Sequence, residues 1–271
     1  MTLFAWIRQA ESRLNEAGVD SARLEAQILA ASAFGKDRAW VLTHPEEPVD
    51  EEALEALLSR RVAREPLAYI LGQREFFSRP FKVTPAVLIP RQETETLVEW
   101  ILDSIDEGPA RVLDLGTGSG CLGITLALEN PQWKVTLSDI SPEAAAVARH
   151  NAKTLNASCK VVESDLFASV PGPWDVIVSN PPYIAQGEIF QPEVRDFEPE
   201  LALYAEDGGL ALYRRILTEG IPCLSDGGVL VLELGDGRAE GCRRLAEELG
   251  WHELEVMSDL MGIERALALV R

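Results

Sequence analysis

The sequence predicts an α/β fold: a mainly parallel sheet closed by an antiparallel last strand, with a small helical bundle ahead of it. Three observations carry this expectation. Apolar residues recur at helical spacing through residues 2–72. From about residue 111 onward, short β-branched runs alternate with helical patterns, as in strand and crossover-helix units. One such run, 111–115, passes through Gly116, Thr117, Gly118, Ser119 and Gly120 into a helix, the kind of strand end at which open sheets place their ligands.

In the bundle, Leu3, Phe4, Trp6, Ile7 and Leu14 mark a first helix that runs up to Gly18. Asp20 and Ser21 can cap a second, carrying Leu24, Ile28 and Leu29, which Gly35 ends. Asp37 starts a short helix through Trp40 and Leu42, and a fourth spans 51–64 with Leu54, Leu57, Leu58 and Val62 inward. No catalytic constellation falls in this stretch, so residues 1–72 are expected to form a substrate-docking domain. Across 73–90, Phe76, Phe77, Phe81, Val83, Val87, Leu88 and Ile89 are interrupted by Pro80, Pro85 and Pro90, which predicts a hairpin-like connector. Residues 91–271 form the third segment. A helix opens at Arg91 to Glu95 and carries Leu97, Val98, Trp100, Ile101 and Leu102; strands are expected at 111–115, 134–138, 160–163, 175–179, 229–233, 254–257 and 266–270. Helices are expected from the glycine turn to about Glu129 and over 142–155, 213–224 and 238–249, with 184–206 as a long substrate-facing loop.

Two strand ends carry the chemistry. In the first, glycines let a ligand approach the backbone, and the helix start is expected to present free N–H groups. Asp139, ending the next strand, stands where a Rossmann-like fold holds ribose hydroxyls, and Asp165 with Leu166 follows a third strand where such folds line an adenine. Asp139 can equally close an Asx-turn before Ser141 and Pro142, and Asp165 can cap a turn. Gly118, Gly120 and Gly123 also spell G-x-G-x-x-G, which keeps a nicotinamide-dependent oxidoreductase in view.

In the second, the run from Asp175 to Ser179 halts at Asn180, Pro181, Pro182 and Tyr183. Two prolines supply carbonyl oxygens but no N–H. With the Asn180 side-chain carbonyl and the flat face of Tyr183, this turn would accept both hydrogens of a planar amide or exocyclic amine and would give a carboxylate nothing to bind.

Composition narrows the classes. The net charge of −19 lacks the basic footprint that a broad grip on nucleic acid needs, so nucleic acid is not expected as the main partner. Cys121, Cys159, Cys223 and Cys242 have no C-x-x-C spacing, and His44, His150 and His252 are dispersed, so neither disulfides nor a metal site is expected. No signal-like start or long apolar run is present, so the expected location is cytoplasmic, away from any membrane.

Asp114-x-Gly116-x-Gly118-x-Gly120 resembles motif I of class I S-adenosylmethionine methyltransferases, and Asn180-Pro181-Pro182-Tyr183 resembles their motif IV for a nitrogen acceptor. More specifically, Pro66 to Gly72, Glu75-Phe76, Leu88 to Arg91 with Glu93-Thr94-Glu95, Asn180 to Ile184, Phe197 to Leu203 and Gly262 to Arg265 together look like the release factor N5-glutamine methyltransferases, PrmC or HemK. The resemblance covers almost the whole chain. Gln92 departs from it, standing where that family usually has proline.

The resemblance implies a class I S-adenosylmethionine methyltransferase fold that methylates the glutamine of the Gly-Gly-Gln loop of class I release factors in translation termination, with no metal. It implies cofactor contacts from Gly116, Thr117, Gly118, Ser119, Gly120, Asp139, Asp165, Leu166 and Asn180, and catalysis and substrate binding from Asn180, Pro181, Pro182 and Tyr183. An N6-adenine methyltransferase shares the Asn-Pro-Pro-Tyr chemistry, and a non-catalytic S-adenosylmethionine-binding adaptor shares the glycine turn.

Overall fold

Nine strands form in the described residues of the computed structural model, which are 1–188, 190–259 and 261–271. Ile189, inside the expected substrate-facing loop, and Leu260 lie outside them. By internal contacts the chain divides into two units: Met1–Gln73 with Phe190–Phe197, and Arg74–Ile189 with Glu198–Arg271.

The first unit is helical, with helices Leu3–Glu16, Ala22–Phe34, Arg38–Thr43, Glu51–Val62 and Leu67–Leu71. Leu3, Trp6, Ala10, Leu14, Leu29, Leu54 and Leu58 fill its core, since the apolar positions fall on one stripe of each helix. Asp37 caps the third helix, accepting from Trp40 N at 2.7 Å, and Asp50 caps the fourth. Ser21 stands at the N-cap of the second helix but makes no side-chain capping bond there, contrary to the expected cap. The helix Pro192–Phe197 belongs to this unit: Glu193 accepts from Arg61 Nη2 at 2.9 Å and from Arg64 Nη2 at 2.6 Å.

β1 (Gln73–Phe76), which lies in the second unit except for its first residue, and β2 (Arg79–Lys82) form a two-stranded ribbon, turned by Phe77 and Ser78, both at positive φ. Asn151 buries its amide against it, accepting from Lys82 N at 2.9 Å and donating to the Lys82 and Ser119 carbonyls. The large sheet comprises β3 (Arg111–Leu115), β4 (Lys134–Asp139), β5 (Cys159–Glu163), β6 (Trp174–Ser179), β7 (Leu224–Glu233), β8 (His252–Ser258) and β9 (Glu264–Val270). Its order is β5-β4-β3-β6-β7-β9-β8. The pairs from β5 to β7 are parallel, while β9 runs antiparallel to both β7 and β8. This is the expected fold class.

The strands alternate faces, and that alternation positions the site. Val112, Val176, Val178, Val229 and Val231 face one core, packed with Leu97, Ile101, Leu122 and Leu126 from helices Glu95–Ser104 and Cys121–Glu129. Leu113, Ile177, Leu230 and Leu232 face the other, with Tyr213, Ile216 and Leu217 from helix Ala211–Gly220 and Leu245 from helix Ala239–Glu248. Continuing the first face by steps of two reaches Asp114 on β3, Asn180 just past β6 and Glu233 on β7, all at the carboxyl ends of adjacent strands.

Candidate active site

A cavity of about 410 Å³ opens at these strand ends. Gly116, Thr117, Gly118 and Ser119 line it from the glycine turn, Asp139 from the end of β4, Asp165 and Leu166 from the loop after β5, and Asn180 and Pro182 from the turn after β6. The structure thus brings together most of the residues that the sequence singles out. Gly120, Pro181 and Tyr183 are not among the lining residues. Gly120 packs beneath the turn, where an added Cβ would meet Ile124. The half-buried Tyr183 ring lies flush on Gly235, where a Cβ would come within 2.2 Å of it. Burial pushes the Tyr183 hydroxyl up to about 12, so it stays a neutral phenol.

The glycine turn has fewer free donors than expected. Five of its N–H groups are used internally: Gly116 and Thr117 donate to the Ser138 carbonyl, Gly120 to Thr117, Gly118 to Asp139 Oδ2 at 2.8 Å and Gly123 to Asp114 Oδ2 at 2.9 Å, while the Ser119 and Cys121 N–H groups meet no acceptor among the described residues. Asp114 also accepts from Thr117 Oγ1 at 2.5 Å. Fully buried, it is pushed up to about 6 by desolvation, against the pull of those two bonds. Burial likewise raises Asp139, whose Oδ1 accepts from Ser141 N, so this acid closes an Asx-turn and lines the cavity at once.

A dinucleotide's pyrophosphate needs free N–H groups in this turn, and with five of them taken the turn offers it few donors. Gly116 and Gly118, at φ 74° and 55°, have open space where a Cβ would stand, so a ligand can lie against the backbone. The charged lining comprises Asp114, Asp139, Glu143 and Asp165 with Arg91 and Arg215. Both arginines are engaged, Arg91 with Glu198 at 2.5 Å and Arg215 with Asp165 at 3.0 Å. A nucleoside bearing a positive charge therefore fits this cradle better than an anionic one.

The Asn-Pro-Pro turn is the opposite. Asn180 donates through Nδ2 to Thr94 Oγ1 at 3.4 Å, and among the described residues neither its Oδ1 nor the Pro181 carbonyl accepts a hydrogen bond from the protein. The Tyr183 carbonyl accepts from Arg238 Nε at 3.0 Å, which pins the far end of the turn.

Sequence reasoning missed four polar residues around this turn. Thr94 lines the cavity and donates to buried Glu233 at 2.6 Å. Glu198 accepts from Ile89 N at 3.1 Å and from Arg91, joining two stretches that carry the family resemblance. The available signal was the strand pattern: Glu233 is an acid directly following the apolar run Val229 to Leu232.

Among the described residues no cluster of His, Cys, Asp and Glu is placed to hold a metal ion, and no helix is long and apolar enough to cross a membrane. All four cysteines are free thiols.

Known proteins place this geometry in a family. The PrmC N-terminal domain model matches residues 5–72 and the methyltransferase small domain model residues 92–198. A methyltransferase from Pyrococcus furiosus superposes with a TM-score of 0.56 over 82% of this chain and 98% of its own, at 18% identity, a likeness of fold alone. A release factor glutamine methyltransferase of Koribacter versatilis is 40% identical over 98% of both chains. That of Bordetella pertussis is 45% identical over 90% of this chain and 93% of its own. With identity at that level along nearly the whole length, this chain belongs to the release factor glutamine methyltransferases.

Proposed function

We propose that this chain methylates the side-chain nitrogen of the glutamine in the Gly-Gly-Gln loop of class I release factors, with S-adenosylmethionine held against the glycine turn. The observation that carries the chemistry is the pair of unpaired acceptors, Asn180 Oδ1 and the Pro181 carbonyl, at the end of β6 beside the cradle. Bound there, S-adenosylmethionine supplies an electrophilic methyl group. Asp139 is assigned to its ribose, and Asp165 with Leu166 to its base.

The chain's own task is to make a poor nucleophile react. An amide nitrogen shares its lone pair with its carbonyl, so it attacks only when held in line. Asn180 Oδ1 and the Pro181 carbonyl accept its two N–H bonds, while Tyr183, braced on Gly235, walls the outer side of the turn with an apolar ring. As the C–N bond would form and the methyl–sulfur bond break, its electron pair leaving with the neutral thioether, the nitrogen gains positive charge, and the same oxygens bind it more strongly than in the ground state. The charged amide then loses a proton to water. Tyr183 and Asn180 are not bases at working pH, so positioning carries the rate.

The free thiols, the acidic charge and the absence of a spanning helix among the described residues accord with a cytoplasmic enzyme of translation termination acting on a protein. The N-terminal helical unit is assigned to docking that protein. Mass spectrometry of a class I release factor incubated with the chain and S-adenosylmethionine tests the proposal. One added methyl on the loop glutamine is expected; an unmodified release factor beside methylated adenine in added nucleic acid would replace it with the N6-adenine reading.

A further inference from the structure

If Asn180 is the acceptor, something must hold its carboxamide the right way round. Turned by half a revolution, the amide would set Nδ2 hydrogens against the substrate's own hydrogens, donor facing donor. The residues behind it form a chain of two hydrogen bonds: Asn180 Nδ2 donates to Thr94 Oγ1 at 3.4 Å, and Thr94 Oγ1 donates to Glu233 Oε2 at 2.6 Å. Glu233 is 4% exposed and Thr94 3%, so the bond between them is shielded from bulk water. The strand end itself is fixed, because the Tyr213 hydroxyl donates to the Glu233 main-chain carbonyl at 2.7 Å and accepts from Gly235 N at 3.2 Å.

We propose that Thr94 and Glu233 are positioning residues for methyl transfer: the Glu233 carboxylate takes the single Thr94 hydroxyl proton, Thr94 can then only accept, and Asn180 is held with Nδ2 inward and Oδ1 toward the substrate amide. The inference deepens the assignment of Asn180 made above and rests on it. A hydroxyl has one proton, and an ionised carboxylate can only accept. The direction of both bonds is therefore set by the charge on Glu233. A protonated Glu233 has a proton of its own to donate to Thr94, which frees the Thr94 proton to compete for Asn180 Oδ1, the atom meant for substrate.

The groups facing Glu233 are Thr94, Glu93 and Arg91 from the turn before helix Glu95–Ser104, Cys121 from helix Cys121–Glu129, Tyr213 from helix Ala211–Gly220, Arg265 from β9, and Tyr183. Desolvation raises the carboxyl to about 7; the Thr94 bond opposes this, Glu93 adds to it, and Arg91 and Arg265 oppose it. Turnover should therefore fall as the pH drops through that value, because the ionised form holds Asn180 in its productive orientation.

The test uses the full-length chain with a class I release factor, comparing Thr94→Val, Thr94→Ser, Glu233→Gln and Asn180→Ala for kcat, KM, S-adenosylmethionine affinity by calorimetry and the pH profile. Thr94→Val should lower kcat about tenfold or more with cofactor affinity within about twofold, and Thr94→Ser, which keeps the hydroxyl, should restore most of it. Glu233→Gln should lower kcat about tenfold and abolish the acidic limb of the profile. If Glu233→Gln does not fold, the Thr94 pair decides alone. Thr94→Val holding kcat within about twofold while Asn180→Ala loses it would overturn the positioning role and leave the acceptor assignment standing. Unchanged turnover in Asn180→Ala would overturn both.

Discussion

The turns after β3 and β6 sit at neighbouring strand ends and line one cavity, yet they are built in opposite ways. The glycine turn largely closes on itself: most of its N–H groups go to Ser138, Thr117, Asp139 and Asp114, and what it mainly offers a ligand is shape and acidic surroundings. The Asn-Pro-Pro turn leaves Asn180 Oδ1 and the Pro181 carbonyl unmet among the described residues, because proline removes the donors that would have paired locally and Thr94 draws Asn180 Nδ2 away. A satisfied turn binds with little change during reaction, whereas open acceptors gain most when their partner acquires charge. On the proposed reading, binding and catalysis are thereby divided between two strands.

That division can be broken first on the substrate side. Replacing the target glutamine by glutamate leaves the open oxygens facing lone pairs, and the rate at fixed substrate concentration should fall by a factor on the order of 10⁴. A release-factor variant assayed for methyl incorporation measures this; a loss below about tenfold would mean that the turn does not read the amide hydrogens.

On the binding side, Asp139→Ala removes the carboxylate that holds the Gly118 N–H and lines the cavity, so calorimetry should show S-adenosylmethionine affinity weakened about tenfold. Equal affinity would detach Asp139 from the ligand.

The smallest expected effect sharpens the role of the buried acid behind the second turn. Glu233 is raised to about 7, so between its ordinary value and 7 the folded chain keeps a proton that the unfolded chain has lost. Its contribution to stability is therefore lost as pH rises through that window, by something on the order of 3 kcal/mol. Glu233→Gln should melt higher relative to the parent chain at pH 8 than at pH 5, as read by thermal denaturation. Asp114, raised to about 6, has the same sign in both proteins and cancels from the difference.

The two turns also mark what a sequence makes legible. Each is punctuated by glycine or proline after an apolar run, so strand, turn and ligand side could be read locally. The bundle helices were readable for the same reason, from spacing and from caps such as Asp37. Thr94 and Glu233 were not, since 139 positions separate them and no periodicity links them. The 184–206 stretch hid the helix Pro192–Phe197, whose Glu193 is held by Arg61 from 132 positions away. At the start of β7, Asp226, Gly227 and Gly228 read as a turn, yet Leu224 pairs with Trp174 across a register shift and the strand begins five residues before the expected Val229. The insertion of β9 between β7 and β8 is a pairing choice that local pattern does not encode.

The most direct test of the divided site is Asn180→Ala, measured for S-adenosylmethionine affinity by calorimetry and for turnover on a release factor in the same preparation. Affinity is expected to stay within about twofold while turnover falls at least about a hundredfold. Turnover matching the parent chain, or a loss of affinity as large as the loss of rate, would contradict the account.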